Sequence, residues 1–165
     1  MTPRRWHGGV MSSQHTYRVR CSWSGSTGAG YQHYRREHTG TAPPARDCLV
    51  LSADQAFLGE AEHLNPEQLV LLAAASCQLL SFLAVAARAR VDVLAYHDEA
   101  EAVMPAEERP VRLTRITLRP RIVVATGPTV EGVRHLAEVA HRECYIANSL
   151  RTEIHIEAQV SFGDG

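Results

Sequence analysis

Apolar and polar residues alternate along four stretches of the chain: YRVRCSW at 17–23, VDVLAYHDEAEAVM at 91–104, VRLTRITLRPRIVVA at 111–125 and RTEIHIEAQVSF at 151–162. A two-residue period lines one face of an extended chain with apolar side chains, so each stretch predicts a strand. Two shorter strands are expected at 31–38 and from Cys48, separated by SGSTGAG and TGTAPPARD, whose Gly, Ser and Pro read as turn and loop. Pro120 has no N–H to give to a ladder and predicts a bulge or an edge. Two segments follow a helical period instead. In 65–90, Asn65 suits an N-cap, Pro66 the first helical position and Glu67 the positive end of the dipole. Its body is apolar on all sides, which predicts a helix covered on every face. In 129–147, Val133, Leu136, Ala137, Ala140, Cys144 and Ala147 recur at three- and four-residue steps, the stripe of a one-sided helix. The order β-β-β-α-β-β-α-β is an α+β layout with two buried central helices against sheets.

The 165 residues suit one domain. Residues 16–165 are expected to form it, after a mobile extension over 1–15. A formal net charge of -1 gives no field to attract nucleic acid or an anionic membrane. All 17 basic residues are Arg, which removes Schiff-base chemistry on lysine. There is no C-x-x-C pair among the four cysteines and no H-E-x-x-H among the nine histidines, so neither a metal nor a cofactor is expected. The run at 65–90 is long enough to span a bilayer. Ser76, Gln78, Ser81, Arg88 and Arg90 favour a buried helix of a soluble protein instead. No basic segment followed by an apolar one opens the chain, so the expected compartment is the cytoplasm, where cysteines tend to be free, catalytic or redox-active.

Cys77 and Cys144 fall on the buried stripes of the two predicted helices. Taken alone, each reads as a small core residue. Burial raises a thiol's pKa, so a reactive Cys77 is expected to need a cation brought from elsewhere. NPEQL with Cys77 ten positions after its Glu, a second-helix Cys144 followed closely by Asn148-Ser149, and the segments SADQAFLGEAEHL, AYHDEAEAVM and TRITLRPRI together resemble the OsmC/Ohr family of thiol-dependent peroxidases. The resemblance covers roughly residues 17–162.

That resemblance implies an intertwined homodimer and a cysteine-based peroxidase of the oxidative stress response. Cys77 would attack an organic hydroperoxide, and Cys144 would resolve the sulfenic acid as a redox-active disulfide. An external dithiol, lipoyl-type or a small thiol, would recycle the enzyme. The family's Glu maps onto Glu67. Its Arg maps onto Arg36 within Tyr34-x-Arg36-x-His38, with Arg35 the alternative. A guanidinium would hold Cys77 as thiolate and stabilise the leaving alkoxide, and Glu67 would hold the guanidinium. Ten helical residues span about 15 Å, so Glu67 and Cys77 of one straight helix cannot share a pocket. The helix is bent, or the pocket joins two subunits.

The sequence departs from the family at Leu64, where relatives often have Trp, and at Gln78, where a His often follows the cysteine; Gln78 puts pocket polarity and substrate preference in question. A non-catalytic apolar-ligand binder and a redox sensor are therefore the alternatives. Cys21 and Cys48 match nothing in the family pattern and are expected to be structural. Asn148 is expected to cap the second helix, and His141 to be a core histidine.

Overall fold

The computed structural model describes residues 14–163; the expected mobile extension lies almost entirely outside them. The chain forms two compact units, one ending at His63 and the other starting at Leu64.

The first unit is a three-stranded antiparallel sheet in the order β1 (Arg20–Ser22), β2 (His38–Thr41), β3 (Cys48–Leu51). Its middle strand corrects the sequence reading. YQHYRRE folds as turns, and the strand is HTGT, of which only His38 was expected in a strand and the other three residues in the loop. Pairing on both sides overrides the weak strand preference of Gly40, which lies between Cys21 and Leu49 in the ladder. A Cβ on Gly40 would stand 3.1 Å from the Leu51 side chain. A 3-10 turn at Gln55–Phe57 follows, opened by Asp54, whose carboxylate accepts the Ala56 N–H at 2.8 Å.

The second unit contains α1 (Pro66–Arg88), β4 (Val93–Asp98), β5 (Glu101–Val103), β6 (Arg115–Leu118), β7 (Pro120–Ala125), α2 (Val130–Glu143), α3 (Tyr145–Ser149), β8 (Glu153–Ile156) and β9 (Gln159–Gly163). Each of the three long strands expected from alternation is present but broken near its middle. The halves pair as β4-β7-β9 and β5-β6-β8. Register does not slip across the break: Asp98 faces Pro120 and Glu101 faces Thr117, while Leu118 faces Ile156 and Arg121 faces Gln159. The break sits at Pro120, which has no N–H for the ladder. Beside it the Arg119 N–H donates to the Asp98 carboxylate at 2.7 Å rather than to a strand carbonyl.

Alternation decides which face the helices cover. Ile116, Leu118, Pro120, Ile122 and Val124 of the central strand are all buried, as period two requires. Ile122 and Val124 pack with Phe82, Val85 and Ala86 of α1 and Val133, Ala137 and Ala140 of α2. Ile116 and Leu118 pack with Ala74.

Helix α1 starts with a full capping box. The Asn65 side chain accepts the Gln68 N–H at 2.8 Å, and the Gln68 side chain accepts the Asn65 N–H at 3.0 Å. The helix is long and apolar enough to cross a bilayer by length and composition. It buries Ala74, Gln78, Phe82, Val85 and Ala86, one face only. Leu72, Leu80 and Leu83 stay 57%, 64% and 39% exposed. The expected cover on every face is therefore absent within one chain, because sheet and α2 lie on the same side.

The single helix expected at 129–147 is two. Thr129 caps α2, accepting the Gly132 N–H at 3.1 Å. Cys144 then adopts an extended backbone, with φ -72 and ψ 113, ends α2 and caps α3.

Candidate active site

The break at Cys144 builds the site. A helix continued through this residue would bury its N–H groups in its own ladder. The kink instead turns the first N–H groups of the next segment outward. The Ala147 N–H donates to the Cys144 sulfur at 3.4 Å, and the Ile146 N–H donates to the Cys77 sulfur at 3.5 Å. The Asn148 side chain donates to the Arg142 carbonyl at 3.0 Å, closing an otherwise unpaired carbonyl at the end of α2.

The two sulfurs are neighbours and differ in state. Burial works to raise the Cys77 pKa, but hydrogen bonds from the Cys144 thiol, the Ile146 and Tyr145 N–H groups and the Ser81 hydroxyl outweigh it, so the thiol sits below its ordinary range. Cys144 is 1% exposed. Burial, then the neighbouring Cys77, push its pKa up to about 11, against the Ala147 N–H. Cys77 is the sulfur disposed to ionise, and Cys144 keeps its proton and donates it. Four hydrogen bonds from the same unit, and not a cation, act against burial here. Ser81 and the Tyr145–Ile146 backbone were not singled out from sequence. Ser81 was findable, since it lies one helical turn from Cys77 on the same face.

Cys77 opens into a cavity of about 870 Å³. Ala73, Leu80, Ser81, Ala84, Tyr145 and Ile146 line it around the sulfur, and Arg88 and Arg142 are among its other lining residues. Arg88 is paired with Glu143 at 2.5 Å. An apolar floor beside a single ionisable sulfur suits a substrate with an organic body and one reactive polar group.

Glu67 lies in the first turn of α1, which runs without interruption to Arg88, so the bent-helix alternative is not seen. Glu67 is about 15 Å along the axis from Cys77 and does not line its cavity. Arg36 belongs to the first unit, where its guanidinium donates to the Tyr34 and Tyr31 carbonyls and stacks on their rings, 3.9 and 4.7 Å from the centroids. Arg35 pairs with Glu37 at 3.1 Å. The structure thus brings Cys77 and Cys144 together within one chain; Glu67 stands apart from them, and Arg36 and Arg35 are held within the first unit.

Gln78 is turned away from the cavity. Its side-chain N–H donates to the Ala137 carbonyl at 3.0 Å, tying α1 to α2. It does not set pocket polarity. Burial first, then Arg142 and His155, hold His141 below its ordinary pKa. Cys21 and Cys48 are free and exposed on β1 and β3. Among the described residues no cluster of His, Cys, Asp or Glu could hold a metal.

The family model described as OsmC-like protein matches residues 59–159. An uncharacterized Bacillus subtilis protein, YmaD, is 23% identical over 158 residues, 93% of this chain and 99% of its own. The solved structure of an OsmC-like protein of unknown function from Vibrio cholerae has TM-score 0.80 and 26% identity, covering 88% of this chain and 100% of that one. A Legionella pneumophila structure described as an organic hydroperoxide resistance protein has TM-score 0.67 and 21% identity, covering 89% and 97%.

Proposed function

The chain belongs to the OsmC-like family, and from that premise we propose that it is a cytoplasmic thiol peroxidase that reduces organic hydroperoxides to alcohols. The observation that carries the reading is the unequal sulfur pair, Cys77 lining the cavity and held low, Cys144 buried behind it and held high, within hydrogen-bonding reach of each other. The Cys77 thiolate attacks one peroxide oxygen. An S–O bond forms, the O–O bond breaks, and the alkoxide leaves as the alcohol after taking a proton from water. The resulting sulfenic acid is attacked by Cys144; a disulfide forms and the hydroxyl leaves as water. An external dithiol then reduces the disulfide, and its two thiols become a disulfide in turn.

The exposed leucines of α1 support a second copy of the chain as the missing cover. Burying one Leu stabilises by about 1.5–3 kcal/mol, and Leu72, Leu80 and Leu83 sit on the one uncovered side. In that assembly Glu67 and Arg36 reach Cys77 from the partner. Arg36 must exchange its two carbonyls for the substrate.

The test is single-turnover oxidation by cumene hydroperoxide followed by mass spectrometry. One equivalent is expected to remove two hydrogens and link Cys77 to Cys144. The Cys77→Ser variant is expected to consume no peroxide, and consumption at the normal rate ends the proposal. Unchanged mass in the wild-type chain would instead favour a ligand-binding member of the fold.

A further inference from the structure

Two backbone N–H groups of one short segment end on the two sulfurs. The Ile146 N–H donates to Cys77 at 3.5 Å and the Ala147 N–H to Cys144 at 3.4 Å. These consecutive residues form the first turn of α3, whose N–H groups have no carbonyl of their own helix to bond. α3 has five residues, well short of the length at which a helix holds itself in water. Its first residue, Tyr145, is 82% exposed. Elsewhere α3 is seated by side chains: Ile146 and Leu150 pack in the cluster around Ala74, and the Asn148 amide donates to the Arg142 carbonyl at 3.0 Å. Those contacts give the segment a place to return to, while the N–H groups of its first turn depend on sulfur.

A disulfide weakens both acceptors at once. A thiolate is a charged acceptor, whereas a disulfide sulfur is neutral and a weak one. Bond formation also draws the sulfurs toward each other and away from their donors. The two N–H groups then need water, and they reach it when the first turn of α3 lifts. Reduction of the disulfide needs the same movement. Cys77 lines the cavity, and Cys144 is 1% exposed. A thiol entering by the cavity meets Cys77 first. Attack there expels Cys144, whose burial makes it the worse leaving group; attack on Cys144 expels Cys77, the better one. With α3 closed, access and leaving group favour opposite sulfurs. Lifting the first turn removes the conflict, because the Ala147 N–H lies on the Cys144 sulfur.

Resting on the peroxidase reading, we propose that the first turn of α3 is a cover released by oxidation, and that the external dithiol attacks Cys144 once the cover lifts. One thiolate of the dithiol attacks the Cys144 sulfur. A mixed disulfide forms, the Cys77–Cys144 bond breaks, and Cys77 leaves as thiolate. The second thiolate then attacks the dithiol's own sulfur in the mixed disulfide, a step helped by proximity. The dithiol becomes a cyclic disulfide and Cys144 is expelled. Cys144 takes up one of the two protons the dithiol gave up, and the other goes to water. The protein disulfide gains two electrons and the dithiol loses them. With Cys77 anionic again and Cys144 unbonded, both N–H groups recover their acceptors and α3 closes.

The experiment uses the full-length chain, either reduced or oxidised to the disulfide with diamide, which needs no peroxidase chemistry. Hydrogen exchange is followed at the Ile146 and Ala147 amides. It is expected to be at least about tenfold faster in the disulfide form, the low end for losing a hydrogen bond to a charged acceptor, while the amides of α2 keep their rates. The oxidised chain then receives less than one equivalent of 2-mercaptoethanol, is quenched with acidic N-ethylmaleimide and is mapped by mass spectrometry. The thiol adduct is expected on Cys144 and the maleimide on Cys77. Equal exchange in the two forms, or the adduct on Cys77 with maleimide on Cys144, overturns the proposal. Failure of diamide to link Cys77 to Cys144 overturns it as well. Silence toward cumene hydroperoxide, with faster exchange and the adduct on Cys144 after diamide, overturns the peroxidase reading and leaves this one standing.

Discussion

Cys144→Ala removes one hydrogen-bond donor from Cys77 and leaves the Ile146, Tyr145 and Ser81 donors in place. A hydrogen bond to a charged group contributes about 1.5–3 kcal/mol. A thiol is a weak donor, so the lower end applies. That is about one pKa unit. The sign is upward, because the lost bond favoured the thiolate. Where the midpoint lies above the working pH, the thiolate fraction falls about tenfold. Thiolate nucleophilicity rises with pKa with a Brønsted slope of about 0.4–0.5, returning about threefold. Below the wild-type midpoint the first, peroxide-reducing step is therefore expected to slow about threefold. Above both midpoints it should be about threefold faster than wild type. Cys144→Ser keeps a donor and should stay within about half a unit of the wild-type midpoint. The assay is the ultraviolet absorbance of the thiolate against pH, beside single-turnover peroxide consumption across the same range. An unchanged midpoint in Cys144→Ala, with no crossing of the rate profiles, would refute the claim that the second sulfur helps to hold the first one anionic.

Stability is expected to fall as pH rises from about 9 to about 11: the unfolded chain releases the Cys144 proton near 9 while the folded chain holds it up to about 11, so the folded state binds more protons across that window. Chemical denaturation at several pH values checks this, and Cys144→Ser should flatten the decline. Phe82→Ala empties the centre of the larger core, where Phe82 is 0% exposed, and should cost about 3–5 kcal/mol by urea melting. Gln78→Leu should leave both peroxide steps unchanged, because the amide faces the Ala137 carbonyl rather than the cavity; its Oε1 has no partner among the described residues, so the stability change should stay within about 1.5 kcal/mol. Leu72→Arg places a charge on the uncovered side of α1 away from the cavity lining, and should convert a dimer to a monomer in sedimentation while abolishing turnover.

The helices and long strands were legible because their periods are set by burial, and one face of each meets the core. The breaks in the strands were only half legible. Pro120 announced a disturbance in its own strand, but the matching breaks after Asp98 and Ile156 follow from pairing, which no single segment encodes. The β2 strand was missed because Gly40 and its threonines have no period of their own and are recruited by neighbours on both sides. At the site, the two sulfurs and Glu67 could be placed by number along their helices. The kink at Cys144 could not, since the stripe through Ala140, Cys144 and Ala147 keeps its helical spacing across it. With the kink went the backbone donors, which carry no residue signature. A sequence displays its arginines and hides its N–H groups.

The kink also explains how two cysteines in one small volume acquire opposite tendencies. Had α2 continued, Cys144 would be one more thiol on an apolar stripe and the Ile146 N–H would serve its own helix. Ending the helix at Cys144 separates the two environments. Cys77 looks into the cavity and receives donors from the new segment, whereas Cys144 stays buried, with Cys77 and the Ala147 and Ile146 N–H groups near its sulfur. On the proposed peroxidase reading, the order of events follows. The sulfur with access to substrate is the ionised one, so it reacts first. The shielded sulfur is kept protonated until the first has been oxidised, so peroxide has little chance to consume it.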